Sequence, residues 1–225
     1  DFKQKVGSAD IVTADGGFDF SIDFNKQEEL ALRLIFCEIV CALGVQKKGG
    51  IFICKVFDLY THISIKTVYL LKCLYDTVHI YKPSTSRPAN SEKYVIASGF
   101  KGIDSTYYDE LINVVELWRK LDDKHTMLDI FGDIPYQFYD SVKEYNTISS
   151  NIQTIFIKKT LNIIKHKCSS SYLKHLLQIQ IKNAVTWCQT YKIPVNNRSH
   201  FIKHLPARAD LNEEDLYDEE EEKHY

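Results

Sequence analysis

A chain of 225 residues, 44% hydrophobic and 26% charged, is long enough to bury a core without disulfides or metals, and its composition excludes collagen, coiled coil and wholesale disorder. The formal net charge of -2 conceals an asymmetry: nine of the 30 acidic residues lie in the run 210–222 and only one of the 28 basic residues lies beyond Arg208, which leaves the body with about six more positive than negative charges. No membrane span is visible, because the most apolar stretch, 30–45, is broken by Arg33 and Glu38 and falls short of the about 20 residues a bilayer needs.

In chain order, residues 10–14 read as a short buried strand ending at Asp15-Gly16-Gly17, and two glycines at a strand end mark a tight turn or a close backbone approach. Residues 27–43 carry helical periodicity, with Leu30, Leu34, Cys37 and Cys41 on one side and Ile35 and Ile39 adjacent, and the pattern stops at Gly44. Gly49-Gly50 reads as a turn before a second strand, 51–57, whose continuous apolar run suits cover on both faces. A helix over 64–75, a strand over 77–81, a Pro- and Ser-rich loop over 82–92 and a strand over 93–98 follow. The last two strands are joined without a helix, so they are expected to pair antiparallel at a sheet edge. The alternation is that of an α/β protein with a mainly parallel sheet. After Lys101 the pattern turns helical, over 109–121, 136–145, 151–165 and 170–191, where Ile193-Pro194 ends the last segment.

Several features point to no special chemistry. Cys37, Cys41, Cys54, Cys73, Cys168 and Cys188 form no CxxC pair and no zinc-finger spacing, and they read as reduced thiols of a cytosolic or nuclear protein. The eight histidines include no HxH or HExxH; His200 and His204 read as a solvated pair, and no metal is expected. Trp118 and Trp187 read as core packing. The basic body suits a polyanionic partner. The acidic tail reads as a solvated end, or as a competitor for the same basic surface.

In open α/β sheets ligands bind beyond the carboxyl ends of the strands. That rule singles out Asp15 after the first strand, Lys55 near the end of the second and Glu92 just before the last. A lysine held between two carboxylates can take a proton from a sugar hydroxyl or stabilise the alkoxide that develops. The same three residue types at strand ends also suit structural ion pairs, and spacing alone leaves both readings open.

Four segments occur in order: Val12-Thr13-Ala14-Asp15-Gly16-Gly17-Phe18, Asn25-Lys26-Gln27-Glu28, Gly49-Gly50-Ile51-Phe52-Ile53-Cys54-Lys55-Val56-Phe57-Asp58, and Lys82-Pro83-Ser84-Thr85-Ser86-Arg87-Pro88-Ala89-Asn90-Ser91-Glu92-Lys93-Tyr94-Val95. Together they closely resemble the FtsJ-like, Rossmann-fold ribose 2′-O-methyltransferases, and within that superfamily most the eukaryotic and large-virus enzymes that methylate the first nucleotide of capped mRNA. The likeness covers roughly residues 10–101, with the loop over 85–92 its most specific piece.

The resemblance implies methyl transfer from S-adenosyl-L-methionine to a ribose 2′-hydroxyl of capped mRNA. It makes Asp15, Lys55 and Glu92 the Asp, second Lys and Glu of a Lys-Asp-Lys-Glu tetrad, with Asp15 also close to the donor methyl. It places Asn25, Lys26 and Gln27 on the RNA, with Glu92 touching the ribose. Arg87 either meets a phosphate or holds the loop. The family's first Lys and its Gly-rich methionine-binding turn precede the Asp-Gly-Gly strand, whereas here Lys3, Lys5 and the lone Gly7 stand in no matching context. The expectation is therefore a piece of a longer enzyme that shows no methyl transfer by itself. Residues 1–101 would be the C-terminal half of the methyltransferase sheet, 102–209 a helical region packed on it, and 210–225 a disordered acidic tail. The second cap nucleotide, another RNA, or an inactive RNA-binding or capping subunit are the alternatives. Capped mRNA and the capping or transcription machinery are the expected partners, in the nucleus, or in the cytoplasm or virion for a viral protein.

Overall fold

The computed structural model describes residues 8–17, 26–121, 129–130, 132–166, 169–196 and 198–199. Asn25, Cys168, His200, His204, the acidic run 210–222 and the upstream Lys3, Lys5 and Gly7 lie outside the described residues. The chain divides into two compact units, Asp1–Lys159 and Thr160–Tyr225.

The first unit is built on a four-stranded sheet. In chain order the elements are β1 (Ala9–Ala14), α1 (Gln27–Val45), β2 (Gln46–Val56), α2 (His62–Leu74), β3 (Tyr75–Tyr81), β4 (Lys93–Phe100), α3 (Ser105–Lys120) and α4 (Tyr136–His166), whose residues from Thr160 on belong to the second unit. The strands lie in the order β1-β2-β4-β3. β1 and β2 are parallel, and β4 runs antiparallel to both β2 and β3, so β1, β2 and β3 share one direction. The expected α/β alternation and the antiparallel pairing of the last two strands are both present; β3 forms the edge and β4 lies inboard of it.

Two successive crossovers, β1-α1-β2 and β2-α2-β3, step the same way across the sheet. Crossovers of one hand stepping one way put their helices on one face. Accordingly Phe52, Cys54 and Val56 of β2 and Val95 and Ala97 of β4 are buried beneath α1 and α2, whose Leu32, Ile35, Phe36, Ile39, Ile65, Val68 and Leu71 complete the core. Removing a side chain such as Phe36 from water contributes about 1.5–3 kcal/mol. The opposite face, with Ile51, Ile53 and Lys55, is only half-buried. The continuous apolar run of β2 had pointed to cover on both faces; among the described residues one face is packed by helices. Likewise β1 pairs on one side alone among the described strands, and Ile11 is 61% exposed, where the sequence pointed to a buried strand.

Two expectations about element boundaries differ from the structure. Gly49-Gly50 lies within β2, not before it. Between the pairs Ala9–Gln46 and Ile11–Ile51 the ladder slips, and Gly49 absorbs the irregularity at φ 80°, a conformation that glycine adopts without steric cost. The segments over 136–145 and 151–165 are one helix, α4. The polar stretch between them is satisfied along the helix: Thr147 donates to the Lys143 carbonyl at 2.9 Å and Ser150 to the Asn146 carbonyl at 2.7 Å. The buried Asn146 amide donates to the Leu59 carbonyl at 2.7 Å, the Ser150 hydroxyl meets Tyr60 at 2.5 Å, and Gln153 donates to the Ala89 carbonyl at 3.3 Å. One face of α4 thus grips the loops that follow β2 and precede β4. An Asn146→Ala variant leaves the Leu59 carbonyl unpaired, and urea unfolding is expected to show a loss of about 1–3 kcal/mol; no loss contradicts this role for Asn146.

α3 packs on α1, where the Trp118 ring lies 5.8 Å from Phe36. In the second unit α5 (Ser170–Thr190) begins at Ser169, whose hydroxyl accepts the Tyr172 N–H at 3.2 Å, a side-chain cap of the usual kind. It ends where Lys192 turns to φ 56°. No described helix is long and apolar enough to cross a membrane. The five described cysteines, Cys37, Cys41, Cys54, Cys73 and Cys188, are free thiols.

Candidate active site

The register of the sheet brings three strand ends to one rim. Ala14 of β1 stands opposite Cys54 of β2, so Asp15 follows directly beside Lys55. Lys55 in turn stands opposite Tyr94 across the β2–β4 ladder, and Glu92 is two residues before Tyr94 on the same edge. The Lys55 ammonium forms an ion pair with the Asp15 carboxylate; the lysine side chain is 19% exposed and the aspartate 65%. Gly17 passes close by, since a Cβ there would sit 3.9 Å from the amine, and the Phe57 ring lies 5.8 Å from it.

Glu92 sits on this rim without an ion pair to Lys55. Its carboxylate accepts from the Tyr94 hydroxyl at 3.2 Å and from the Ser86 hydroxyl at 3.5 Å. The lysine expected between two carboxylates is therefore pinned by one of them, with the second carried beside Tyr94. Burial, and then the charge of Glu92, push the Tyr94 hydroxyl above its ordinary range, so Tyr94 stays a neutral donor to Glu92 at neutral pH.

The loop that carries Glu92 is held by two lysines. Lys82 donates to the Asn90 carbonyl at 2.9 Å, the Asn90 side-chain oxygen at 2.8 Å and the Glu92 carbonyl at 2.9 Å. Burial, and then the nearby Lys93, hold its pKa below the usual lysine range, against the pull of Glu92 and Asp58. Lys93 is buried and donates to Asp58 at 2.8 Å and to the Ser91 carbonyl at 3.0 Å. Neither lysine stands out from the sequence, because each acts on backbone that only the fold brings near.

The residues expected to meet RNA are placed unevenly. Gln27 opens α1, and its side-chain oxygen accepts from Ser91 at 2.9 Å, which ties it to the Glu92 loop. Lys26 is exposed at the N-cap of the same helix. Arg87 is exposed at the loop tip, where its carbonyl accepts the Asn90 N–H at 3.1 Å.

The sequence reading missed Glu38. On α1, its carboxylate accepts the Gly16 N–H at 2.8 Å and lies 3.9 Å from the Cys54 sulfur. Burial raises its pKa, and the Asp15 charge adds to the rise, while the Gly16 bond and Lys55 oppose it. Burial and the Glu38 charge also push the Cys54 thiol far up, so it is inert as a nucleophile. The available signal was a lone carboxylate in the middle of an apolar helix. Beside Asp15 and Glu38 opens a cleft of about 630 Å³, walled by Val12, Ala14, Ala42, Val45 and Tyr108.

Residues 1–100 match the profile of the FtsJ-like methyltransferases. Among proteins of known description, the cap-specific mRNA (nucleoside-2'-O-)-methyltransferase 1A of Caenorhabditis briggsae is 33% identical over 165 residues, which cover 70% of this chain and 19% of that protein. The inactive cap-specific mRNA (nucleoside-2'-O-)-methyltransferase 1B of the same nematode is 32% identical over 167 residues, 70% of this chain and 20% of that one. The cap-specific mRNA (nucleoside-2'-O-)-methyltransferase 1 of Homo sapiens is 51% identical over 95 residues, 42% of this chain and 11% of that one. The chain thus spans about a fifth or less of the length of these relatives. A solved structure described as a ribosomal RNA methyltransferase of Plasmodium falciparum aligns at TM-score 0.33 with 19% identity, over 45% of this chain and 53% of that one, too slight a likeness to bear on the fold.

FtsJ-like methyltransferases as a class depend on S-adenosyl-L-methionine. The residues described here fit one side of such a site. An exposed carboxylate, Asp15, meets the cleft, and a carboxylate with an apolar wall suits a cationic amino-acid derivative.

Proposed function

We propose that this chain is part of an S-adenosyl-L-methionine-dependent methyltransferase that acts on the ribose 2′-hydroxyl of the first transcribed nucleotide of capped mRNA. The observation that carries the reading is the Lys55–Asp15 ion pair at the carboxyl ends of two adjacent parallel strands, with Glu92 on the same rim.

When bound, the cofactor supplies an electrophilic methyl group. Asp15 orients the Lys55 amine toward the ribose 2′-oxygen and faces the donor side. Lys55 stabilises the negative charge that builds on that oxygen as its proton passes to solvent water. Glu92, steadied by Tyr94 and Ser86, accepts a hydrogen bond from the ribose and fixes its orientation. Lys26 and Arg87, both exposed, meet phosphates, and Asn25 and Gln27 complete the RNA contact. An enzyme with this substrate works where transcripts are capped, in the nucleus or, for a virus, in the cytoplasm.

The relative named as inactive, at 32% identity, gives a second reading a footing: a methyltransferase-like subunit that binds RNA without turnover. The retained ion pair favours the enzyme, because a scaffold needs no poised lysine at a strand end. The test is methyl transfer by the whole protein that carries this chain, on capped RNA whose first ribose is either free or already 2′-O-methylated. Label is expected on the first nucleotide of the free RNA and none on the premethylated one. Label on the second nucleotide supports the neighbouring cap activity, and RNA binding with no label on either supports the scaffold.

A further inference from the structure

We infer that Glu38 is a positioning residue of this active site, holding the turn that sets Asp15 against Lys55; the inference rests on the functional reading above. Glu38 lies on a helix whose neighbours Ile35, Phe36, Ile39 and Ala42 are buried, and an apolar residue would suit the position for packing alone. A half-buried carboxylate there opposes its own desolvation. What it gains is specific. One oxygen accepts the N–H of Gly16, the residue after Asp15, and the other faces the sulfur of Cys54, the residue before Lys55. A single carboxylate therefore contacts the chain neighbour of each member of the ion pair.

Gly16 makes this approach feasible. A Cβ at that position would overlap the Glu38 carboxylate and lie 2.7 Å from Leu34, so a side chain there would push the carboxylate off the Gly16 N–H. Without Glu38 the Gly16 N–H loses its acceptor, and the exposed Asp15 gains freedom relative to Lys55. Displacing a reacting group by about 1 Å lowers turnover on the order of 10²-fold. The groups facing Glu38 are Asp15 from the end of β1, Cys54 and Lys55 from β2, Tyr108 of α3 in the same cleft, and Cys37 and Cys41 from its own helix.

The test compares Glu38→Gln, which keeps an acceptor, with Glu38→Leu, which removes it, in the whole protein that carries this chain. Glu38→Leu is expected to lower kcat about 10- to 100-fold with KM for capped RNA nearly unchanged, and Glu38→Gln to stay close to the parent. Equal losses in both variants, or an unaffected Leu variant, overturn the inference. A second measurement needs no activity. In the same whole protein, the Gly16 amide proton is expected to titrate with a midpoint above the usual carboxylate range, and Glu38→Gln is expected to abolish that titration. An amide that does not follow Glu38 overturns the inference while the functional reading stands. A parent protein that binds capped RNA but transfers no methyl, with the titration intact, overturns the functional reading and the positioning role with it, leaving the contact as structure alone.

Discussion

Replacing Lys55 with alanine is expected to lower kcat on capped RNA by about 10²- to 10⁴-fold, the range that a single acid–base or charge-stabilising group supplies. The loss belongs to turnover and not to folding, for a geometric reason. Asp15, the partner left behind, is 65% exposed, so water replaces the amine at little cost. KM for RNA is expected to change little, because Lys26, Gln27 and Arg87 lie apart from the amine on the α1 N-terminus and the loop tip. Lys55→Arg is expected to fail as well, since a planar guanidinium directs its donors differently from an ammonium. Thermal melts of the variants check the fold, and single-turnover methyl transfer checks the chemistry. A variant that retains parental turnover removes Lys55 from the mechanism.

The largest effect on stability is expected at Lys93. Its side chain is 2% exposed and its ammonium carries Asp58, the Ser91 carbonyl and, more weakly at 3.5 Å, the Phe57 carbonyl. Breaking a buried pair by removing one partner leaves the other charge uncompensated, which costs about 3–5 kcal/mol. Asp58 is 27% exposed and regains some water, so Lys93→Met is expected at the lower end, about 3 kcal/mol, by urea unfolding. Lys93→Met with Asp58→Asn is expected to recover part of that loss, because no unpaired charge remains. A single variant as stable as the parent contradicts the account. The same change frees the loop that carries Glu92, so stability and turnover are expected to fall together here, unlike at Lys55.

The sheet was legible because its physics is local. Apolar runs over 51–57 and 93–98, the glycines after β1 and the helical periodicity of α1 each announce their element within a short window. Two elements resisted for tertiary reasons. Asn146 to Ser150 looks like a helix break, yet its polar groups are spent on Leu59, Tyr60 and the helix itself, so α4 continues. Gly49-Gly50 looks like a turn, yet the slip in the β1–β2 ladder places Gly49 inside β2.

The candidate site divides the same way. Strand-end logic put Asp15 and Lys55 together, and the parallel register of β1 and β2 pairs them. The same logic put Glu92 on the rim, but no spacing argument shows whether a carboxylate on a loop reaches an amine on a strand. In the structure it is bonded to Tyr94 and Ser86 instead. Glu38 is 22 residues from its partner Gly16, on a helix whose periodicity speaks only of packing.

The central claim is that Asp15 and Lys55 act as one unit on a ribose oxygen. A double-mutant cycle on kcat/KM for capped RNA tests it most directly, with Asp15→Asn, Lys55→Met and the two combined in the whole protein that carries this chain. Groups that work as a unit lose nearly everything when either is removed. The double variant is expected to fall no further than the more damaged single one. Losses that multiply, each change acting as though the other were still in place, would contradict the account.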